Sequence, residues 1–225
     1  MRLLKTIFPG ITALLAIPFL MLSFPKKTRL FLPNKKNEWY VFLEGSAKNT
    51  DSKNVFRFEE DVLHVSGDGF GYITTEKKYS DFHFTVEFKW GEKKYPPREN
   101  AKRDAGIMYH VIFYNGDKVW PRSLEYQVQE GDCGDFWMTD STTIVFNDTL
   151  TQPKNWLRGM KTKDTEKPNG EWNKAEVIVK DGKITHLLNG VVVNAAKLGN
   201  TKEGTILLQS EGAEIYYRNA EVEEL

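Results

Sequence analysis

The chain has 225 residues, enough for one sizeable domain and short for two. Its 31 basic residues balance 31 acidic ones, which excludes the one-signed field that nucleic acid or anionic lipid would select and fits a neutral partner. With 6 Trp and 9 Tyr against 1 Cys, packing and not a disulfide framework must hold the chain together.

Residues 1–25 read as an export signal, because Arg2 and Lys5 precede an uncharged apolar run from Ile7 to Phe24. No small-x-small cleavage site follows, so a cleaved signal peptide and an uncleaved anchor both stay open. Either places the protein outside the cytoplasm, in the periplasm, at the cell surface or secreted, and membrane contact would come only through this segment. Residues 26–38 are basic, carry Pro33 and read as a linker to a domain over 39–225.

Within that domain, Trp39–Leu43, Val55–Phe58, Val62–Val65 and Tyr72–Thr75 are short β-rich runs separated by polar or glycine turns. Asp81–Trp90 is the clearest strand, with Phe82, Phe84, Val86 and Phe88 on one face and His83, Thr85, Glu87 and Lys89 on the other. Gly91–Arg103, polar and holding Pro96 and Pro97, reads as a surface loop. Asp104–Phe113 returns to strand character, and Asn115-Gly116 signals a turn.

The stretch Trp120–Trp137 organises the domain. Glu125, Gln127 and Gln129 alternate with Leu124, Tyr126 and Val128, so a strand here sends its polar set to one face and its apolar set to the other. A carboxylate and two amides in a row, with Trp120 and Trp137 at the ends, suit a sugar: fixed donors and acceptors for hydroxyl groups, flat indoles for a pyranose ring. The plainer alternative is an edge strand whose polar face meets water. Cys133 lies between Gly131-Asp132 and Gly134-Asp135, where neighbouring carboxylates would raise its thiol pKa, and reads as structural.

Further on, Asp181-Gly182 and Asn189-Gly190 mark two successive hairpins linking Glu171–Val179, Lys183–Leu188 and Val191–Val193, and Thr205–Ser210 and Ala213–Val222 close the chain. No stretch after residue 38 keeps a helical apolar spacing, and no blade-length repeat is present. The fold class predicted is all-β: two packed antiparallel sheets in a jelly roll or β-sandwich.

Lys89–His110, Trp120–Trp137, Gly170-Glu-Trp-Asn173, Thr185–Gly190 and Tyr217-Arg-Asn-Ala220, in that order, resemble the 3-keto-disaccharide hydrolase family over roughly Trp39–Leu225. The resemblance implies a concanavalin-like sandwich, usually exported, acting on glycosides whose sugar carries a ketone at C3. There a base removes the C2 proton, the C1 substituent leaves, and water addition completes a net hydrolysis. The runner-up is a carbohydrate-binding sandwich without catalysis.

Glu125 is the first candidate for the base or for an orienting carboxylate, with His110 and Glu130 as further catalytic candidates. Trp120, Gln127, Gln129, Trp137, Gln209, Arg103 and Arg218 are candidates for binding substrate. The two arginines could meet oxyanion charge, and Arg218 could instead pair with Glu125 or Glu211 inside the sandwich. Asp132, beside Glu130 and Gly131, is the candidate ligand of a divalent cation, although the spacing matches no calcium loop. His186 reads as structural although it falls in a family motif, and His64 and His83 carry no functional reading. Family members often follow the Gln209 strand with His-Gly. This chain has Ser210-Glu211-Gly212, so if that histidine carries chemistry the activity here is altered or lost.

Overall fold

The computed structural model describes residues 27–225, and the segment 1–25 expected to direct export lies outside them. In chain order its strands are β1 (Lys27–Arg29), β2 (Trp39–Leu43), β3 (Phe56–Glu59), β4 (Val62–Val65), β5 (Phe70–Thr75), β6 (Phe82–Lys94), β7 (Asp104–Ile112), β8 (Arg122–Gln129) and β9 (Phe136–Thr139). Then follow β10 (Ile144–Phe146), β11 (Thr149–Leu150), β12 (Trp156–Gly159), β13 (Asn173–Lys180), β14 (Lys183–Leu188), β15 (Val191–Leu198), β16 (Thr205–Glu211) and β17 (Ala213–Glu224). The larger sheet runs β11-β10-β15-β14-β13-β6-β17-β4-β3, with β1 added beside β17; the smaller runs β12-β9-β8-β7-β16-β5-β2. Every pairing is antiparallel, as the alternating sequence predicts.

One core fills the space between the sheets. Phe82, Phe84, Val86 and Phe88 of β6 face Leu124, Tyr126 and Val128 of β8 and Ile107 of β7, all fully buried. Because side chains alternate along a strand, burying that set sends Glu125, Gln127 and Gln129 to the outer face of the smaller sheet. The two hairpins form as predicted: Asp181-Gly182 and Asn189-Gly190 all have positive φ, the conformation that Asx-Gly pairs accept at low strain.

Two boundaries differ from the sequence reading. Of the supposed linker 26–38, the described residues 27–38 belong to the domain: Lys27–Arg29 pair with β17, and Leu30 and Phe31 enter the core. A basic tripeptide gives no sign of being an edge strand, so composition alone hides it. The supposed loop 91–103 begins late because β6 runs on to Lys94. Glu214 of β17 lies across Gly91 and accepts the backbone N–H groups of Glu92 and Lys93 at 3.0 and 3.2 Å, which holds the polar extension in the sheet.

Candidate functional site

The outer face of the smaller sheet is read directly from its register. Glu125 lies opposite Trp137 of β9 and Met108 of β7, Gln127 opposite Gly106, and Gln129 opposite Asp104. On the other side of β7, β16 brings Gln209, paired with Tyr72 of β5, and Glu211, paired with Phe70. Cross-strand partners share a face, so one end of this face is polar and the other apolar. At the apolar end Tyr40, Tyr72, Met108, Val111 and Leu207 form a second small cluster with Phe42, Phe113 and Trp120 packed against it.

The polar end is a cleft of about 320 Å³ lined by Arg98, Asp104, Trp120, Glu125, Gln127, Gln129, Trp137, Trp156 and Glu211. That volume lies at the small end of ligand sites, which run about 300–1,000 Å³, and suits one or two sugar rings. The crevice between Leu30–Pro33 and Tyr217, by contrast, has room for about 20 Å³, roughly one water.

Three indoles form the wall. Trp120 meets Trp156 edge to face at 5.6 Å and Phe70 at 6.0 Å, and Trp156 remains 48% exposed. The loop that delivers Trp120 is fastened to the apolar end of the face, where Tyr40 and Tyr72 both donate to Asp117 Oδ1, at 2.7 and 2.6 Å. Arg98 comes from the turn after β6, whose Tyr95 N–H donates to Gly212 O at 2.8 Å. Its guanidinium pairs with Asp104 and lies 5.7 Å from the Phe70 ring. Asp104 in turn accepts the Gln127 amide at 3.2 Å.

The floor is electrostatically loaded. Glu125 and Glu211 are each only 4% exposed. Burial holds the Glu125 carboxyl well above the usual carboxylate range, the charge of Glu211 pushes it further, and Arg98 opposes both. Burial also raises Glu211, against Arg98 and a hydrogen bond from Trp120 Nε1 at 2.5 Å. A floor glycine makes this crowding possible: a Cβ on Gly106 would collide with Gln209 Oε1 and Glu125 Oε1.

Of the residues singled out in the sequence, Glu125, Gln127, Gln129, Trp120 and Trp137 converge on this cleft, with Gln209 in the floor beneath it. The rest do not. His110 sits where β7 bulges against β8 and β16, with φ at 50°, so its ring turns to the same side as Tyr109 instead of alternating with it. It is fully buried, donates from Nε2 to Ser80 O at 2.9 Å and packs on Phe82.

Arg218 lies on the larger sheet, bonded to Glu87 at 2.7 Å and stacked on Trp172, away from both Glu125 and Glu211. Arg103 is consumed by Glu130 at 2.7 Å and Gly91 O at 3.0 Å. Glu130 also takes the Arg103 N–H and Asn169, and these bonds outweigh burial and hold its carboxyl below its usual range, which suits a structural clamp and not a base.

Asp132 gives its oxygens to Lys102 at 3.0 Å and Arg158 at 2.8 Å, so two cationic side chains already occupy the position proposed for a metal. Among the described residues no group of three His, Cys, Asp or Glu side chains is arranged to hold a metal ion. Cys133 is fully buried, and its thiol is raised as expected, but the cause of the rise is different. Desolvation raises its thiol most and Glu166 adds to it, not the flanking aspartates. His186 is structural, held by Tyr109 and Gly134 O.

The sequence reading missed Arg98, Asp104 and Trp156, and gave Glu211 no place in the cleft. Asp104 was findable, since burying Ala105, Ile107 and Tyr109 sends Asp104, Gly106 and Met108 to the other face. Arg98 follows two prolines in a charged loop, and nothing local distinguishes it from its neighbours.

A sequence model described as the 3-keto-alpha-glucoside-1,2-lyase-like domain matches residues 30–223. No curated protein matches the chain in sequence. Among solved structures, one from Parabacteroides distasonis, provisionally assigned as a glycosyl hydrolase, is 21% identical with a TM-score of 0.58, covering 84% of this chain and 89% of that one. Carbohydrate-binding module CBM66 from Bacillus subtilis is 13% identical with a TM-score of 0.58, over 83% of this chain and 96% of the module. The Bacillus licheniformis β-glucanase is 9% identical with a TM-score of 0.54, over 91% of this chain and 99% of the enzyme. At these identities the likeness carries the jelly-roll sandwich fold alone.

Proposed function

The chain belongs to the 3-keto-alpha-glucoside-1,2-lyase-like domain family, and on that premise we propose that it is an exported enzyme acting on 3-keto-glycosides in the Glu125 cleft. The observation that carries the reading is the convergence of two buried carboxyls and two amides beneath three indoles. A ketone at C3 acidifies the C2 proton, so the chemistry asks for a base, a proton donor for the departing oxygen and polar groups for the enolate. The cleft offers Glu125 and Glu211 for proton transfer, Arg98 and Gln127 for oxygen charge, and Trp120, Trp137 and Trp156 for the sugar faces.

An ordinary glycosidase instead places two carboxyls on opposite sides of the scissile bond. Here both stand together on the floor with one glutamine between them, which favours removal of a proton next to a ketone. Incubating the purified protein with an aryl 3-keto-glucoside tests the reading. Release of the phenol, abolished in Glu125→Gln, is the expected result, and absence of release with or without added divalent metal rejects it. Saturable sugar binding without release would establish the binding-module alternative. Export is part of the proposal and rests on residues 1–25; recovery of the native protein in the cytosolic fraction would reject it.

A further inference from the structure

The amide of Gln209 stands between two carboxyls. Its Nε2 donates to Glu211 Oε1 at 3.4 Å, while its Oε1 crowds Glu125 Oε1 over Gly106 and has no hydrogen-bond partner among the described residues. Gln209 is fully buried. A glutamine amide has one donating and one accepting end, and whichever way it is turned, its accepting end is satisfied only when the carboxyl facing it is a carboxylic acid. A buried acceptor left unmatched costs about 1–3 kcal/mol, so the arrangement selects against two carboxylates and places a proton on the pair. Which partner holds it follows from the other donors. Glu211 also receives Trp120 Nε1 at 2.5 Å, whereas among the described residues no hydrogen bond reaches the Glu125 carboxyl.

From this geometry, and resting on the proposed 3-keto-glycoside reading, we propose that Glu211 is the base that removes the C2 proton and that Glu125, protonated and facing the Gln209 carbonyl, is the acid that protonates the leaving oxygen. Burial of Glu125 and its nearness to Glu211 favour its neutral form in the same sense. The other charged groups facing the pair from the cleft are Arg98 from the turn after β6 and Asp104 on β7; Tyr109 on β7 and Tyr217 on β17 lie behind the sheet in the core.

The step balances. Glu211 takes the C2 proton and the C–H electron pair passes into the enolate. As the pair returns to form C1=C2, the C1–O bond breaks and its electrons leave with the oxygen, which takes the Glu125 proton. Water then adds at C1 and gives a proton back to Glu125, while the proton on Glu211 returns to C2. Both carboxyls are protonated while the enolate exists, exchange states when the C1–O bond breaks, and end as they began, with Gln209 between them.

Two measurements on the full chain test this. Infrared spectroscopy at neutral pH reads the carbonyl stretch of a protonated carboxyl. One such band is expected in the parent, lost in Glu125→Gln and kept in Glu211→Gln. No band in the parent, or loss in Glu211→Gln with retention in Glu125→Gln, overturns the assignment. With aryl 3-keto-glucosides, Glu211→Gln is expected to lose C2 deuterium exchange by about a hundredfold or more, the low end of the range for general-base catalysis. Glu125→Gln should lose turnover more steeply as the leaving phenol becomes less acidic. Deuterium exchange that survives Glu211→Gln, or a Glu125→Gln loss independent of the leaving group, overturns the roles. If the parent releases no phenol, the proposed function fails, while the infrared experiment still decides whether the pair shares one proton.

Discussion

Trp120 donates its indole N–H to Glu211 at 2.5 Å, so one side chain is both a wall of the cleft and the hydrogen-bond partner of a carboxylate in its floor. The two arrive from different directions, Trp120 from the loop that Asp117 fastens to Tyr40 and Tyr72, Glu211 from the end of β16.

Replacing Trp120 by Phe separates those tasks. The aromatic face remains, and the donor is lost. A hydrogen bond to a charged group contributes about 1.5–3 kcal/mol, and this one lowers Glu211, so its removal lets the carboxyl rise further. Trp120→Phe is expected to move the acidic limb of the pH profile of turnover to higher pH, with a smaller change in KM than Trp120→Ala. An unmoved limb would show that the indole serves packing alone.

Gly106 supports a second prediction. A methyl group there would meet first Gln209 Oε1 and the Glu125 carboxyl, and both are the ends of side chains that can swing. Gly106→Ala should therefore keep the fold, with a stability loss of about 1–3 kcal/mol from overpacking, yet drive the amide from between the carboxyls. Turnover should fall by about a hundredfold, the scale of a misplaced proton-transfer group. The check is a melting curve beside an aryl-glycoside assay. Equal activity in the variant would mean that Gln209 and Glu125 need no fixed spacing.

The alternation of Glu125, Gln127 and Gln129 with Leu124, Tyr126 and Val128 sufficed to place a polar row on one face, because a strand buried on one side has no other register. The Asx-Gly hairpins were equally legible, since few dipeptides accept two positive φ values in succession. His110 was misread because a bulge breaks alternation, and neither Tyr109 nor His110 announces one. Arg98 and Trp156 reach the cleft through tertiary docking of a loop and an edge strand, which leaves no periodic trace. Glu211 followed the alternation of Gln209 and could have been placed on the same face. Its pairing with Glu125 depends on the β16–β7–β8 order, which strand patterns do not specify.

Glu125→Gln should stabilise the fold at neutral pH while removing the acid. The carboxyl is held up by burial in the folded chain and ionises freely in the unfolded one. For a raised group, stability is whole below the unfolded value, about 4.3 for glutamate, and is lost as pH rises above it. Melting temperatures of parent and variant should diverge from that point upward, with the variant higher. Curves that stay parallel between pH 4 and 8 would mean that Glu125 pays no desolvation penalty, and with it would go the reason for its neutral form.

The inter-sheet contact gives the last prediction. Tyr109 on β7 donates to His186 Nε2 at 2.9 Å, and His186 Nδ1–H donates to Gly134 O at 3.1 Å, so the ring is fixed in its neutral tautomer between the two sheets. Burial pushes its pKa down to about 3, with Gly134 O opposing only in part. The unfolded chain takes up a proton below about pH 6.5 and the folded one does not until about pH 3. Stability should therefore fall with acid across that window, with His186 contributing up to about 1.4 kcal/mol per pH unit. His186→Gln cannot titrate. It should be the less stable protein at pH 7, where the ring's packing on Phe136 and Tyr126 is lost, and should close the gap as pH falls toward 4. The carboxylates that also weaken the fold in acid are the same in both chains, so the difference between two denaturation series isolates the histidine. A constant difference from pH 7 to 4 would mean that the folded protein accepts the proton on His186, which the Tyr109 and Gly134 bonds forbid.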